Sequence, residues 1–294
     1  MKRARLWAAV LLCAFIVLPV DKALAQAEPS DKRGLFITPV REYVTVAPGK
    51  SQQQKVTIAN FTDKPVSVAL SVEQFSVADY SYNYNFAPDT QHWLVVGEQN
   101  VELEPGKSKA VTYTAQPPAS VTPGGHYFTI FATATIDNGS VKSQVRAATV
   151  VYVTVAGDLK TTSSVQGFSA PRVSFGGDID FTMDVKGTGN THFFIRAAGE
   201  LEGFTGRGRG PESTRLLMPG STLKVGSTMP APLLPGLYTA VFGYKTESGE
   251  EVLRSQKIVY VPLWSLAIAG GLLWIIIVLA RKHRKVVLFK SKDS

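Results

Sequence analysis

The 294-residue chain has a single cysteine, Cys13, and it falls inside the apolar stretch at the amino terminus. Once that segment is removed no thiol remains. A disulfide, an iron–sulfur cluster and a cysteine nucleophile are thereby excluded. Histidine is also scarce: His92, His126, His192 and His283. No H-E-x-x-H pair, G-x-S-x-G elbow or Gly-rich phosphate loop occurs. A hydrolase needs a nucleophile, a base and a group to orient it, and the sequence offers no such set. We therefore expect no catalytic residue, no metal and no cofactor. Charge of one sign is missing as well. The formal charge is +8, but it resides at the two ends, and across 26–262 Lys and Arg balance Asp and Glu. The basicity is a topology signal and not a nucleic-acid footprint. Arg207, Arg209 and Arg215 form the densest basic group in that middle part, with no interleaved aromatic side chain.

The two ends agree on one topology. Lys2, Arg3 and Arg5 precede an apolar run, and Ala23-Leu24-Ala25 supplies the small residues of a cleavage site before Gln26. Residues 1–25 read as a secretory signal peptide. Residues 263–280, LWSLAIAGGLLWIIIVLA, carry no charge. As a helix they rise ~27 Å, close to the ~30 Å hydrocarbon core. Trp264 and Trp274 suit a spanning helix. The basic stretch 281–294 is then a cytoplasmic tail, by the positive-inside rule. The expected location is the bacterial cell membrane: one pass, the N-terminal part outside, the tail inside.

The exported part lacks any long helical period. Short apolar and β-branched runs recur between Gly, Pro, Asn and Asp turns. In 34–156 the predicted strands are 35–46, 54–60, 65–75, 100–103, 108–116, 126–136 and 144–155. In 157–262 they are 159–168, 178–186, 191–201, 221–227, 236–246 and 251–261. The fold class is all-β: two immunoglobulin-like β-sandwich domains, 34–156 and 157–262, plus one C-terminal transmembrane helix, 263–280. Each domain has two Pro-Gly turns ahead of strands, Pro105-Gly106 and Pro123-Gly124, then Pro219-Gly220 and Pro235-Gly236. The run Gly206-Arg207-Gly208-Arg209-Gly210 reads as a loop. Asp178, Asp180 and Asp184 read as a solvated strand face beside a turn.

Residues 79–86 read DYSYNYNF. On a strand, period two places Tyr80, Tyr82, Tyr84 and Phe86 on one face. Two readings stand side by side. The rings either form a satellite core against Phe75 and Trp93, or present a ligand face, since tyrosine offers stiff contact area with a polar tip. Candidate binding residues are Tyr80, Tyr82, Tyr84, Trp93 and His126, the last because it follows Gly124-Gly125 beside Tyr127.

The first domain contains TPVREYVTVAPGKSQQQKVTIANFTDKPVSVALSVEQF, then VELEPGKSKAVTYTAQPP, then TPGGHYFTIFATATI. In these pieces it resembles the N-terminal peptidoglycan domain of the WxL-interacting proteins. That family also shares the order of signal peptide, two sandwiches, membrane helix and short basic tail. The resemblance implies a non-catalytic envelope protein whose partner is peptidoglycan or another envelope glycan, with a surface protein as a further partner. Arg41 ahead of a strand ending at Asn60 also looks like the start of periplasmic pilus-assembly chaperones. This second resemblance implies the alternative, a protein-interaction module holding a secreted protein at an exposed strand edge. Exposed rings at Tyr80, Tyr82, Tyr84 and Trp93 favour the glycan. Buried rings beside an open edge favour the protein client.

Overall fold

The computed structural model describes residues 34–137, 142–204 and 206–290, with side chains in the last stretch described through Leu279 and at Arg281. The signal peptide and its cleavage site lie outside the described residues, as do 291–294 of the tail.

The first sandwich is built from β1 (Leu35–Thr38), β2 (Arg41–Val46), β3 (Gln52–Asn60), β4 (Val66–Val77), β5 (Tyr84–Pro88), β6 (Leu94–Val96), β7 (Asn100–Leu103), β8 (Ser108–Ala115), β9 (Gly124–Asp137) and β10 (Lys142–Val155). One sheet runs β1-β3-β8-β6. The other runs β2-β10-β9-β4-β5, with β7 also beside β4. Alternation aims Val56 and Ile58 of β3 and Val111 and Tyr113 of β8 inward. They meet Val68 of β4, Phe128 and Ile130 of β9, and Val151 and Val153 of β10, all buried. Each such side chain contributes about 1.5–3 kcal/mol relative to exposure, so this shared core does the work a disulfide does in other small sandwiches.

Residues 35–46 read as one strand but form two. β1 pairs antiparallel with β3, and β2 pairs parallel with β10, in the opposite sheet. Pro39 lies between them, after a cis Thr38–Pro39 bond. Proline has no N–H to give a ladder, so pairing stops there and the chain changes sheets. β6 escaped the sequence reading because three residues are too few for a period.

The second sandwich repeats this plan. Its strands are β11 (Ser163–Ser169), β12 (Val173–Phe175), β13 (Ile179–Gly187), β14 (Phe193–Gly203), β15 (Gly206–Arg209), β16 (Ser213–Leu217), β17 (Thr222–Met229), β18 (Gly236–Thr246) and β19 (Glu251–Val261). The sheets are β11-β13-β17 and β12-β19-β18-β14-β15, with β16 also beside β14. β12 pairs parallel with the last strand, β19, as β2 does with β10. The Pro-Gly turns occupy matching places, ahead of β8 and β9 and ahead of β17 and β18. Even one hydrogen bond repeats: Gly106 N–H donates to the Asn60 carbonyl and Gly220 N–H to the Gly187 carbonyl, both at 2.8 Å. Gly187 has no room for a side chain, since a Cβ there would stand 2.3 Å from the Met218 carbonyl oxygen.

Residues 206–209 of the 206–210 run form strand β15 where a loop was expected. It pairs with the end of β14, and its arginines meet acidic neighbours. Arg207 pairs with Glu200 at 3.4 Å and with Glu202, and Arg209 reaches Glu212 at 3.4 Å. Cross-strand pairing of charges outweighs the poor strand preference of glycine. The three aspartates are each engaged locally. Asp178 accepts from Ala231 N–H, Asp180 accepts from the Thr228 hydroxyl, and Asp184 faces Lys224. Among the described residues no group of acidic, His or Cys side chains is arranged to hold a metal.

After Val261 and Pro262 the chain enters α1 (Leu263–Lys290). Its start is bound by Ser265, whose N–H and hydroxyl both donate to the Pro262 carbonyl, at 3.0 and 2.7 Å. Leu266, Ile268, Leu272, Leu273 and Trp274 to Leu279 are exposed around the helix. Among the described residues no helix is long and apolar enough to cross a membrane. The uncharged run with described side chains, 263–279, amounts to about 25 Å of helix, and Ala280 of the predicted span falls just beyond it.

Asn60 is fully buried at the end of β3. Its amide nitrogen donates to the Lys64 and Leu103 carbonyls, at 2.8 and 2.9 Å, and its oxygen accepts from Thr62 N–H and the Thr62 hydroxyl. Asn60→Ala orphans these groups. It is expected to lower stability by about 2–3 kcal/mol, seen as a lower urea midpoint at unchanged slope.

Candidate functional site

The tyrosine segment does not form one strand face. Only Tyr84 and Phe86 lie on a strand, β5. Tyr80 and Tyr82 sit in the turn between β4 and β5 with left-handed backbone, φ 64° and 56°. The turn is closed by Ala78 N–H to the Asn83 carbonyl and Tyr82 N–H to the Ala78 carbonyl. A left-handed residue reverses the chain locally, so period two fails here. The flanking Asp79, Ser81 and Asn83 are turn formers, and this was the signal available in the sequence.

This turn grips the second sandwich. Tyr80 N–H donates to the Thr222 carbonyl and Thr222 N–H donates to the Asp79 carboxylate, both at 2.7 Å. The Tyr82 phenolic oxygen accepts from Met218 N–H at 3.1 Å and pairs with the Ser221 hydroxyl at 2.9 Å. Burial raises the Tyr82 phenol above its ordinary pKa, and the bonds to Ser221 and Met218 oppose that rise. A second contact lies at the start of β9. Gly125 N–H donates to the Asn190 carbonyl at 2.8 Å, and the Asn190 amide reaches the Pro123 carbonyl at 3.1 Å. Gly124 is needed there, since a Cβ would stand 2.7 Å from the Asn190 carbonyl oxygen.

Between these contacts runs an aromatic band on the outer face of the β2-β10-β9-β4 sheet. Tyr43 stacks on Tyr152 at 5.0 Å, Tyr152 meets Tyr127 at 5.8 Å, and Phe75 meets Tyr127 at 5.6 Å and Tyr84 at 5.1 Å. His192 of the second sandwich covers this band, within 5.2–5.8 Å of Tyr152, Tyr127 and Tyr43. Its Nδ1 is buried without a partner, and burial lowers its pKa to about 4. Aromatic packing of this kind adds ~0.5–1.5 kcal/mol per pair beyond area burial.

The five residues singled out in the sequence therefore do not converge. Trp93 is 6% exposed and belongs to the first core, with its ring 4.3 Å from His126. Both lie on the inner side of the sheet whose outer side carries the tyrosines. Burial lowers the His126 pKa. Tyr82 is part of the clamp. Only Tyr80 and Tyr84, 54% and 40% exposed, keep open surface.

Those two rings border a cleft between the sandwiches of about 430 Å³, lined also by Arg41, Tyr152, Arg215 and Lys224. Lys224 stands over the Tyr80 ring at 5.6 Å and 4.0 Å from Asp184. Among the described residues no carboxylate lies within ion-pair distance of Arg41 or Arg215. Two unpaired guanidinium groups beside aromatic walls suit a carboxylate or another anion. Sequence reasoning grouped Arg215 with Arg207 and Arg209, whereas the sheet turns it to the other side. It passed over Arg41 as a site residue because nothing local marks a cleft built by two domains.

A second feature is an open strand edge. β10 pairs with β9 along its full length, but β2 covers only Val150–Val155. Val150 N–H donates to the Val40 carbonyl and Ala156 N–H to the Val46 carbonyl, so amides of even-numbered residues face the β2 side. By alternation Gln144, Arg146 and Ala148 present their N–H and C=O groups there, and no described strand takes them. Val145 and Ala147 pack at the margin of the core beneath this edge. Arg146 lies over the Phe131 ring at 3.3 Å and pairs with Glu73. The matching edge of β19 is partly closed by the Gln256 side chain, which donates to the Ala170 carbonyl.

No family model matches this sequence and no curated protein does. Among solved structures, a chain of a chaperone–tip adhesin complex of CFA/I fimbriae is similar at 11% identity over 76% of this chain and 98% of the other, TM-score 0.46. The class 5 fimbriae chaperone CfaA is similar at 11% identity over 77% and 99%, TM-score 0.45. A chain of the CsuC–CsuE chaperone–tip subunit complex of Acinetobacter baumannii follows at 13% identity over 78% and 99%, TM-score 0.38. Likeness at this level decides nothing about what the present chain binds.

Two outcomes follow from the interface. Tyr82→Phe, which removes the acceptor for Met218 N–H, is expected to cost about 1–2 kcal/mol of domain docking. It is read as a broadened interdomain distance in solution scattering, with each sandwich still folded. The docking also depends on pH. A free histidine takes up a proton near 6.5, whereas packed His192 resists until about 4. The separated state thus binds more protons in that window, and packing that is intact above about 6.5 weakens as pH falls toward 4. His192→Gln is expected to remove this pH dependence from the scattering profile.

Proposed function

We propose that the chain is a non-catalytic, membrane-anchored protein of the bacterial envelope whose first sandwich holds a strand of a secreted partner along the open half of β10. The observation that carries this reading is the row of unpaired backbone groups at Gln144, Arg146 and Ala148. An edge of this kind is completed by a strand from another chain, with backbone bonds giving affinity and side-chain pockets giving choice. Arg41 stands where the edge ends, opposite Val150. A partner strand in line with β2 and parallel to β10 would bring its C-terminal carboxylate to Arg41 and the cleft. The burial of Trp93 and the use of Tyr82 in the clamp favour a protein partner over a glycan platform. Anchoring is assigned to α1, whose apolar run continues through Ala280 into the basic tail, and export to the signal peptide.

A second reading keeps an anionic envelope glycan such as peptidoglycan as the ligand. Its support is the exposed Tyr80 and Tyr84 beside Arg41 in the cleft.

A photoreactive residue placed at 146 in the full chain, expressed in its own envelope, is expected to give one protein adduct, and the same residue at 55 none. Ala148→Pro removes an edge donor without touching the β9 ladder, and is expected to abolish the adduct. Arg41→Glu is expected to lower its yield at least ~tenfold. The opposite result is no adduct, with the full chain pelleting on insoluble peptidoglycan whether or not Ala148→Pro is present. That result replaces the strand-edge reading with the glycan.

A further inference from the structure

The second sandwich ends in an apolar rim. Glu202 pairs with Thr239, Gly236 with Tyr260 and Phe175 with Val261. The β14–β15 turn, the 230–235 loop, the end of β12 and the start of α1 therefore share one end of the domain. Phe204, in the β14–β15 turn, is fully exposed, and Leu233 is 85% exposed. Outside α1, four of the five most exposed large apolar side chains among the described residues are at this end: Phe175, Phe204, Leu233 and Leu237. Surfaces in water rarely gather such side chains without a partner.

The 230–235 loop adds an uncharged apolar segment to this rim. It reads Pro230-Ala231-Pro232-Leu233-Leu234-Pro235, with no charge. Its prolines carry no N–H. Ala231 N–H is taken by the Asp178 carboxylate at 3.1 Å, and the Leu234 carbonyl accepts from the Tyr238 hydroxyl at 2.8 Å. Arg207 and Arg209 beside Pro230 and Pro232 are paired with Glu202 and Glu212.

We propose that this end of the second sandwich is seated in the interfacial layer of the bilayer that α1 enters, with Phe204 and Leu233 inserted among the lipid headgroups. The proposal rests on the membrane reading of α1. Continuity identifies lipid as the occupant. Leu263 opens α1 and packs on the turn at Gly176, where a Cβ would stand 3.0 Å from Leu263 Cγ. The β12 side of the rim thus adjoins the exposed Leu, Ile and Trp surface of the helix, with Trp264 at the junction, where an interfacial ring belongs. The second domain is then held by its rim as well as by its tether, which fixes the height and tilt of the β10 edge above the membrane.

The test uses the full chain in a Cys13→Ala background, spin-labelled through Phe204→Cys, Leu233→Cys, Ile276→Cys or Lys55→Cys. It is reconstituted in phosphatidylethanolamine–phosphatidylglycerol vesicles. Collision with oxygen, which favours lipid, is compared with collision with a water-soluble nickel chelate. Labels at 276, 204 and 233 are expected to favour oxygen, inverting the ratio found at 55. If 276 favours oxygen while 204 and 233 match 55, the rim stands in water and the proposal falls, leaving the anchor intact. If 204 and 233 are shielded from both reagents, the rim is covered by protein and the proposal falls in favour of a second copy. If 276 itself favours nickel, the membrane reading of α1 falls.

Discussion

Parallel pairing between β2 and the second half of β10 governs the first sandwich. It requires the chain to leave one sheet after β1 and join the other at Arg41. Because β1 and β2 divide a single stretch, β2 cannot also cover the first half of β10. The open edge at 144–148 is the direct cost of this crossing. The same step from β11 to β12 organises the second sandwich, with the Gln256 side chain bridging the matching gap. Both cores remain closed because the two parts of the split strand each bury their inward residues, such as Ile37 and Val44.

Domain docking relies on polar and aromatic contacts. The turn after β4 supplies Asp79 and Tyr82, and the second domain supplies backbone amides at Met218 and Thr222. Met218 lies just past the end of β16 and Thr222 on the open edge of β17, so the loop satisfies groups that would otherwise need water. Between the polar contacts, His192 lies over tyrosines as a neutral ring. An interface of this composition holds two sandwiches at a set angle near neutral pH, and it positions Arg41 and Arg215 across one cleft. Docking thus brings Arg215 of the second domain to Arg41, Tyr80 and the end of the β10 edge, which the first domain already holds together.

Much of the fold was legible because its strands alternate. Val56 and Ile58, or Val111 and Tyr113, announce a half-buried strand by type and spacing. The repeated Pro-Gly turns marked matching places in two domains. Short strands such as β6 and β12 were not legible, since three residues carry no period. The tyrosine segment misled for a specific reason. Its alternation is real in the sequence, yet Tyr80 and Tyr82 take left-handed backbone to reach the second domain, and a tertiary contact overrides the pattern. Trp93 likewise reads equally well as a platform or as a core residue, since an indole serves both and its neighbours come from distant strands.

Residue type and order alone settled the all-β class and the positions of most long strands, since these follow from local periodicity and composition. The partner of each strand, the split of 35–46 between sheets, the docking of the 79–82 turn and the cleft between Arg41 and Arg215 depend on residues far apart in the chain. No local pattern encodes such contacts. They arise when two cores close and unpaired backbone groups find the nearest partners that the closed shapes allow.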